Sequence, residues 1–163
     1  FPLPEAQLDR FFFKLTARTP TLDELAEIVA RTTGPDLPHA TPRFGPDAVR
    51  AFGALIRRVK VAETVLRSVL QVVAATHPDA PDAPPLVRRY VRFGASPRAA
   101  QAMILAAKAS ALLDGRFHVA VEDVSRVVGP ALGHRLIRSF QADLDRITTD
   151  AIVEQATASL RRA

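Results

Sequence analysis

A mainly α-helical domain with one short β segment at its front follows from three features of this sequence. Apolar residues recur at three- and four-residue spacing in five or six stretches after Pro20. Helix-start signals open several of these stretches, and glycine or proline closes them. One aromatic run, Phe11-Phe12-Phe13-Lys14-Leu15, stands apart from that pattern and suits a short buried strand extending to about Thr16.

Taken in order, the chain begins with prolines at positions 2 and 4, which push the residues before them towards extended geometry. One short helical turn is expected next, with Glu5, Gln7, Asp9 and Arg10 supplying polar groups. The strand Phe11–Leu15 needs neighbours, and no second strong strand candidate lies nearby. The first residue is not methionine, and Met103 is the only one in the chain. The sequence therefore reads as a fragment, whose orphan strand either pairs with another copy or lies loosely against the helices.

Thr21-Leu22-Asp23-Glu24 is a capping box, in which the hydroxyl accepts from a first-turn amide and Glu24 reaches back. Leu22, Leu25, Ile28 and Val29 continue it as a helix to about Thr33, where Gly34-Pro35 stops it; Pro38, Pro42 and Pro46 keep the next stretch irregular. Val49, Phe52, Leu55, Ile56 and Val59 mark a second helix from near Asp47. A third is expected from about Ala62 to Thr76, with Leu66, Val69, Leu70 and Val73 inward. The stretch Pro78–Pro85 holds four prolines and reads as a loop.

Ser96 as N-cap with Pro97 at the first helical position is a strong start signal. The alanine-rich helix it opens, to about Leu113, should be central, because small side chains let other helices approach closely. Asp114-Gly115 closes it, and a short extended piece is possible near His118. Two further helices are expected, Val121–Val128 stopped by Gly129-Pro130, and Thr149–Leu160.

Composition narrows the function classes. The 163 residues suffice for one domain, or a small domain plus a remnant of another. No apolar stretch reaches the roughly 20 residues of a spanning helix, and no signal-peptide pattern opens the chain. With no cysteine, disulfides and thiolate metal sites are excluded, and a cytoplasmic location is expected. The net charge of +5 invites a nucleic-acid partner, but the arginines are dispersed among acids, and the chain has one Tyr and no Trp for base stacking. Solvated helix faces explain that charge better.

Neither a Gly-x-x-x-x-Gly-Lys-Ser/Thr loop nor a strand ending in paired acids occurs. His39, His77, His118 and His134 lack metal-ligand spacing, so no metal site is expected. Two arginines sit where a guanidinium can act on phosphate. Arg98 lies in the first turn of the Ser96 helix, where free amides and the dipole already favour an anion. Arg10 adjoins the Phe11–Leu15 run. The blander alternatives are a solvated first-turn arginine for Arg98, and an ion pair with Asp9 or Glu5 for Arg10.

Pro4-Glu5-Ala6-Gln7-Leu8-Asp9-Arg10-Phe11 and Gly94-Ala95-Ser96-Pro97-Arg98-Ala99 resemble hallmark segments of the MoxR-type AAA+ ATPases. Ala106-Ala107-Lys108-Ala109 through Leu113, Gly115-Arg116, Val119, Glu122-Asp123-Val124 and His134-Arg135-Leu136 follow in the same order as in that family. The resemblance implies the C-terminal part of the ATPase module, with residues 1–20 a remnant of the αβα core and 21–163 the helical lid. It implies that Arg10 is an arginine finger acting on a neighbouring subunit's nucleotide. It implies that Arg98, with Ser96 and Pro97 beside it, is the sensor-2 element touching the nucleotide of its own subunit. Walker A, Walker B and the sensor-1 asparagine would precede Phe1, so that ATP and Mg²⁺ belong to the intact protein and the isolated fragment should be inactive. Ring partners and chaperone-like remodelling of client or adaptor proteins are implied in the same way. One departure is Ala120-Val121, where relatives tend to carry a capping threonine and a proline. Two readings from other classes compete: a basic helical DNA-binding module and a purely structural adaptor.

Overall fold

The computed structural model describes residues 3–36 and 39–162, with side chains as far as Leu160. The expectations for Phe1, Pro2 and Pro38 lie outside the described residues. Two compact units are present. One comprises residues 15–53, and the other joins Lys14 and the residues before it to the chain from Ala54 onwards.

The smaller unit contains helix α2 (Leu22–Thr32) and the start of α3 (Pro46–Arg58). Both bonds of the expected capping box are made: Glu24 N donates to Thr21 Oγ1 at 3.3 Å and Thr21 N to Glu24 Oε2 at 2.8 Å. Arg18 also pairs with Glu24, and these partners hold its carboxyl down at about 2, the guanidinium first. The apolar stripe Leu22, Leu25, Ile28 and Val29 is exposed.

In the larger unit the order is α1 (Glu5–Leu8), the end of α3, α4 (Glu63–Ala75), α5 (Pro85–Tyr90), β1 (Val91–Phe93), α6 (Pro97–Leu113), α7 (Val121–Leu132), a 3₁₀ turn (Gly133–Arg135), β2 (Ile137–Arg138), α8 (Phe140–Leu144) and α9 (Thr149–Ala156). A second 3₁₀ turn (Ala158–Arg162) follows. The mainly α class and the lone short turn near Glu5 are as expected. Helix α6 is central. Ala99, Ala102, Met103, Ala106, Ala107 and Ala111 are buried along it, and the missing side-chain bulk lets α4 and α7 pack closely. Gly115 ends it with φ at +75°, a conformation open to glycine.

Several elements differ from expectation, each for a physical reason. The run Phe11–Leu15 is not a strand; the two described strands are β1 and β2, which pair antiparallel. A strand needs a ladder, and here the backbone of this run bonds to Pro130, His134 and Arg135 at the end of α7 instead. The inward face of α4 is Val65, Val69 and Val72, while Leu66 and Leu70 are largely exposed. The valine stripe sits at i, i+4 and i+7 and lies against the alanines of α6, a better fit than the bulkier leucines. Helix α7 runs through Pro130 to Leu132. The lost backbone bond is offset by Ala131 and Leu132, both fully buried. The last helix gives way after Ala156, where the Thr157 hydroxyl takes the Val153 carbonyl at 2.8 Å. The extended piece near His118 is a single bridge to Lys60.

Candidate functional site

Arg98 is positioned by the loop that precedes α6. Ser96 has extended backbone and its Oγ accepts from Arg98 N at 3.2 Å, so the expected N-cap is in place. The loop is pinned to the end of α4. Ala95 N donates to Thr76 Oγ1 at 2.9 Å, and His77 Nε2 lies 3.1 Å from Ala95 O. Gly94 makes that approach possible, since a Cβ there would sit 2.7 Å from the Thr76 carbonyl oxygen. Thr76 is fully buried and donates onward to Val73 O at 2.6 Å, so the pin is rigid.

Arg10 follows α1, a turn with no buried residue of its own. Its neighbours supply the anchorage. Asp9 reaches the α6 terminus: Ser96 Oγ lies 2.8 and 2.9 Å from the two carboxylate oxygens, sharing its single proton between them. Arg98 Nη1 donates to Asp9 Oδ2 at 3.0 Å. Behind the carboxylate lies Arg135, its side chain almost fully buried, with Nε 3.3 Å from Asp9 Oδ1 in an ion-pair contact that is not aligned as a hydrogen bond.

Burial pushes the Asp9 carboxyl up, but bonds from Ser96 and Arg98 and the charge of Arg135 outweigh it, so the group lies below the usual carboxylate range. Burial likewise lowers Arg135, partly offset by Asp9. The cluster floors an open cleft of about 550 Å³ bordered by Glu5, Asp9, Ser96, His134, Arg135 and Arg138.

The structure thus places Ser96, Pro97 and Arg98 at the start of α6 and sets the Arg10 segment beside them. Arg10 is exposed, and no side-chain bond of its own is seen among the described residues. The alternative pairing of Arg10 with Asp9 is not made, because Asp9 is taken by Ser96, Arg98 and Arg135. Sequence reasoning missed the roles of Asp9, Thr76 and Arg135. The signal for Arg135 was its place in the His134-Arg135-Leu136 segment that resembles the family.

The arrangement suits the phosphate end of a nucleotide. A helix N-terminus, a hydroxyl and a guanidinium already converge on an anion, the Asp9 carboxylate, whose oxygens stand where phosphate oxygens could. For the metal the fit is different: among the described residues no group of acids and histidines could hold a cation.

Residues 84–156 match the AAA lid domain family. Chaperone MoxR1 of Mycobacterium tuberculosis is 34% identical over 161 residues, covering 95% of this chain and 41% of that protein. These likenesses support kinship with the MoxR-type AAA+ proteins. Protein MoxR of Paracoccus denitrificans is 43% identical over 51 residues. YeaC of Bacillus subtilis, of uncharacterized function, is 27% identical over 99% of the chain and 48% of its own length. A crystal structure from Cytophaga hutchinsonii, of a protein described as an inferred ATPase, superposes with a TM-score of 0.86 at 28% identity, covering 99% of this chain and 48% of that one. The chain spans about half the length, or less, of MoxR1 and YeaC. Among the described residues no helix is long and apolar enough to cross a membrane.

A second charged cluster serves the lid itself. Helix α7 lacks a hydroxyl cap at Ala120, and Asp123 makes the half of the box that remains, accepting from Ala120 N at 2.9 Å. Asp123 is fully buried and also takes Arg116 Nη1 at 2.8 Å, Arg116 Nη2 at 2.7 Å and Ser110 Oγ at 3.1 Å. The bidentate guanidinium holds its carboxyl at about 2. The departure at Ala120 is thus compensated three residues later.

Proposed function

We propose that this chain is the phosphate-sensing part of an ATP-hydrolysing AAA+ protein, in which Arg10 and Arg98 present two guanidiniums to one nucleotide. The family relationship supports ATP hydrolysis as the activity. The observation that carries the assignment of residues is the bridge from Asp9 to Ser96 and Arg98, which ties the Arg10 segment to the start of α6.

That bridge favours a division of labour different from the one expected from the motifs. If Arg10 serves a neighbouring subunit's nucleotide, Arg98 lies on the same body and reaches the same phosphate. Arg98 then leaves Asp9 for a γ-phosphate oxygen, while Arg10 stabilises charge that develops during transfer to water. Mg²⁺, when bound, would supply charge neutralisation at the phosphates, and no group of acids and histidines among the described residues would hold it. Differential contact of Arg98 with ATP and ADP would bias the lid position, a hinge motion that can drive remodelling of partner proteins in a homo-oligomeric, cytoplasmic ring.

The test is ATP turnover by the full-length protein with Arg10→Ala and, separately, Arg98→Ala. An arginine finger contributes on the order of 10³-fold or more in kcat. A comparable loss with Arg10→Ala, and a smaller one with Arg98→Ala, is expected. Turnover and ATP affinity unchanged in both would defeat the assignment and favour the adaptor reading.

A further inference from the structure

Arg135 and His134 are not accounted for by phosphate contact. They lie at the end of α7, in the 3₁₀ turn, and face the chain on either side of Arg10. The Arg135 guanidinium donates to Phe11 O at 2.6 Å, to Phe12 O at 3.3 Å and to the Ala131 carbonyl in the last turn of α7. His134 Nε2 lies 2.9 Å from Phe11 O. A carbonyl only accepts, so this nitrogen carries the proton. One turn earlier, Pro130 O accepts from Lys14 N at 3.0 Å. The run that lacks a strand ladder is therefore satisfied by donors more than a hundred residues away in sequence.

Arg10 sits between these anchors. On its N-terminal side Asp9 is held by Ser96, Arg98 and Arg135. On its C-terminal side the carbonyl of Phe11 takes two donors. Its backbone is fixed at both ends while its guanidinium stays exposed. A buried arginine aimed at backbone carbonyls is costly to desolvate, and a methionine could fill its volume. Here that cost is offset by the Phe11, Phe12 and Ala131 carbonyls and by the charge of Asp9.

We propose that Arg135, assisted by His134, is a positioning residue that docks the Arg10 segment onto the lid, so that Arg10 and Arg98 move as one rigid body. The role in catalysis rests on the reading of Arg10 given above; the docking does not. Lid rotation then carries the finger with it, and nucleotide state sensed at one arginine is transmitted to the other without any intervening hinge. Misplacement of a catalytic group by about 1 Å can cost on the order of 10²-fold in rate, which makes such a clamp consequential.

Hydrogen exchange on this chain, without nucleotide, reads the docking through the Lys14 amide. Arg135→Met is expected to speed exchange at Lys14 at least tenfold while the α6 amides around Ala107 keep their protection. Arg135→Lys, which keeps the charge near Asp9 but lacks the planar fork, is expected not to restore it. Unchanged exchange at Lys14 overturns the proposal. Should Arg135→Met also unprotect α6, His134→Ala carries the test: several-fold faster exchange at Lys14 supports docking, and unchanged exchange overturns it. In the full-length protein Arg135→Met should lower kcat about 10- to 100-fold with KM for ATP within about twofold. Faster exchange at Lys14 with kcat intact overturns the positioning role. A full-length protein with no ATP turnover at all would instead defeat the ATPase reading, and the exchange result distinguishes that failure from loss of docking.

Discussion

Asp9 and Arg98, 89 positions apart in the chain, meet in an ion pair of 3.0 Å at the N-terminus of α6. The contact does more than join two charges. Asp9 is also the counter-ion of buried Arg135, so one carboxylate connects the short turn before Arg10, the start of the central helix and the end of α7. Removing it leaves a buried guanidinium without its compensating charge.

Asp9→Asn keeps the shape of the side chain and its acceptor towards Ser96, but removes that charge. A loss of about 1–3 kcal/mol is expected, because an ionised hydrogen bond is lost and Arg135 is left uncompensated. Denaturant unfolding of the chain measures it. A midpoint equal to that of the parent chain would show that Asp9 contributes nothing to the docking.

Gly94→Ala should destabilise by a similar amount, about 1–3 kcal/mol, for a steric reason. The new methyl would meet the Thr76 carbonyl oxygen at 2.7 Å and His77 Cγ at 2.8 Å. Relief requires moving the loop that carries Ser96, so the bond from Ala95 N to Thr76 should weaken first. Faster hydrogen exchange at Ala95 with α6 otherwise protected is the expected signature, and unaltered exchange there would count against the pinned-loop description.

Acid should loosen the α6–α7 pair through Asp123. Its folded carboxyl lies at about 2 against an ordinary 3.8, held down mainly by Arg116. A depressed carboxyl stabilises the fold fully above its unfolded value and loses that contribution as pH falls from about 4 through 2. The shift corresponds to roughly 2 kcal/mol. Melting temperature followed from pH 5 to pH 2 should fall less steeply in Asp123→Asn than in the parent chain. Parallel curves would remove the ion pair from the explanation.

Met103 is the largest fully buried side chain, set among the alanines of α6. Met103→Ala should cost about 2–5 kcal/mol, since a helix already trimmed to small residues has little left with which to fill the space. A thermal shift smaller than that of Asp9→Asn would mean that the core relaxes around the gap.

What could be read in the sequence divides by range. The start of α2 at Thr21 and Glu24, and the start of α6 at Ser96 and Pro97, depend on groups within three residues of each other. Both were legible. The alanines of α6 announced a central helix because composition alone reports close approach. The fate of Phe11–Leu15 was not legible. Its hydrogen-bond donors come from His134 and Arg135, and nothing local distinguishes such a run from a strand. Pro130 misled for the same reason, since the burial of Ala131 and Leu132 that keeps α7 going is a tertiary effect. Of the site, Arg10, Ser96 and Arg98 were visible as motif residues, whereas Asp9 as the common partner of Ser96, Arg98 and Arg135 required the fold.

The proposal that Arg10 and Arg98 act from one body on one nucleotide is tested by ATP turnover of mixed rings. Full-length Arg10→Ala subunits, expected to lose on the order of 10³-fold in turnover, are mixed with full-length Arg98→Ala subunits, expected to lose less. If both arginines reach the same neighbouring nucleotide, every site in the mixture lacks one of them, and turnover stays at the level of the separate variants. If Arg98 instead serves its own subunit while Arg10 serves the next, some mixed sites regain both arginines, and the recovery of turnover would contradict the account.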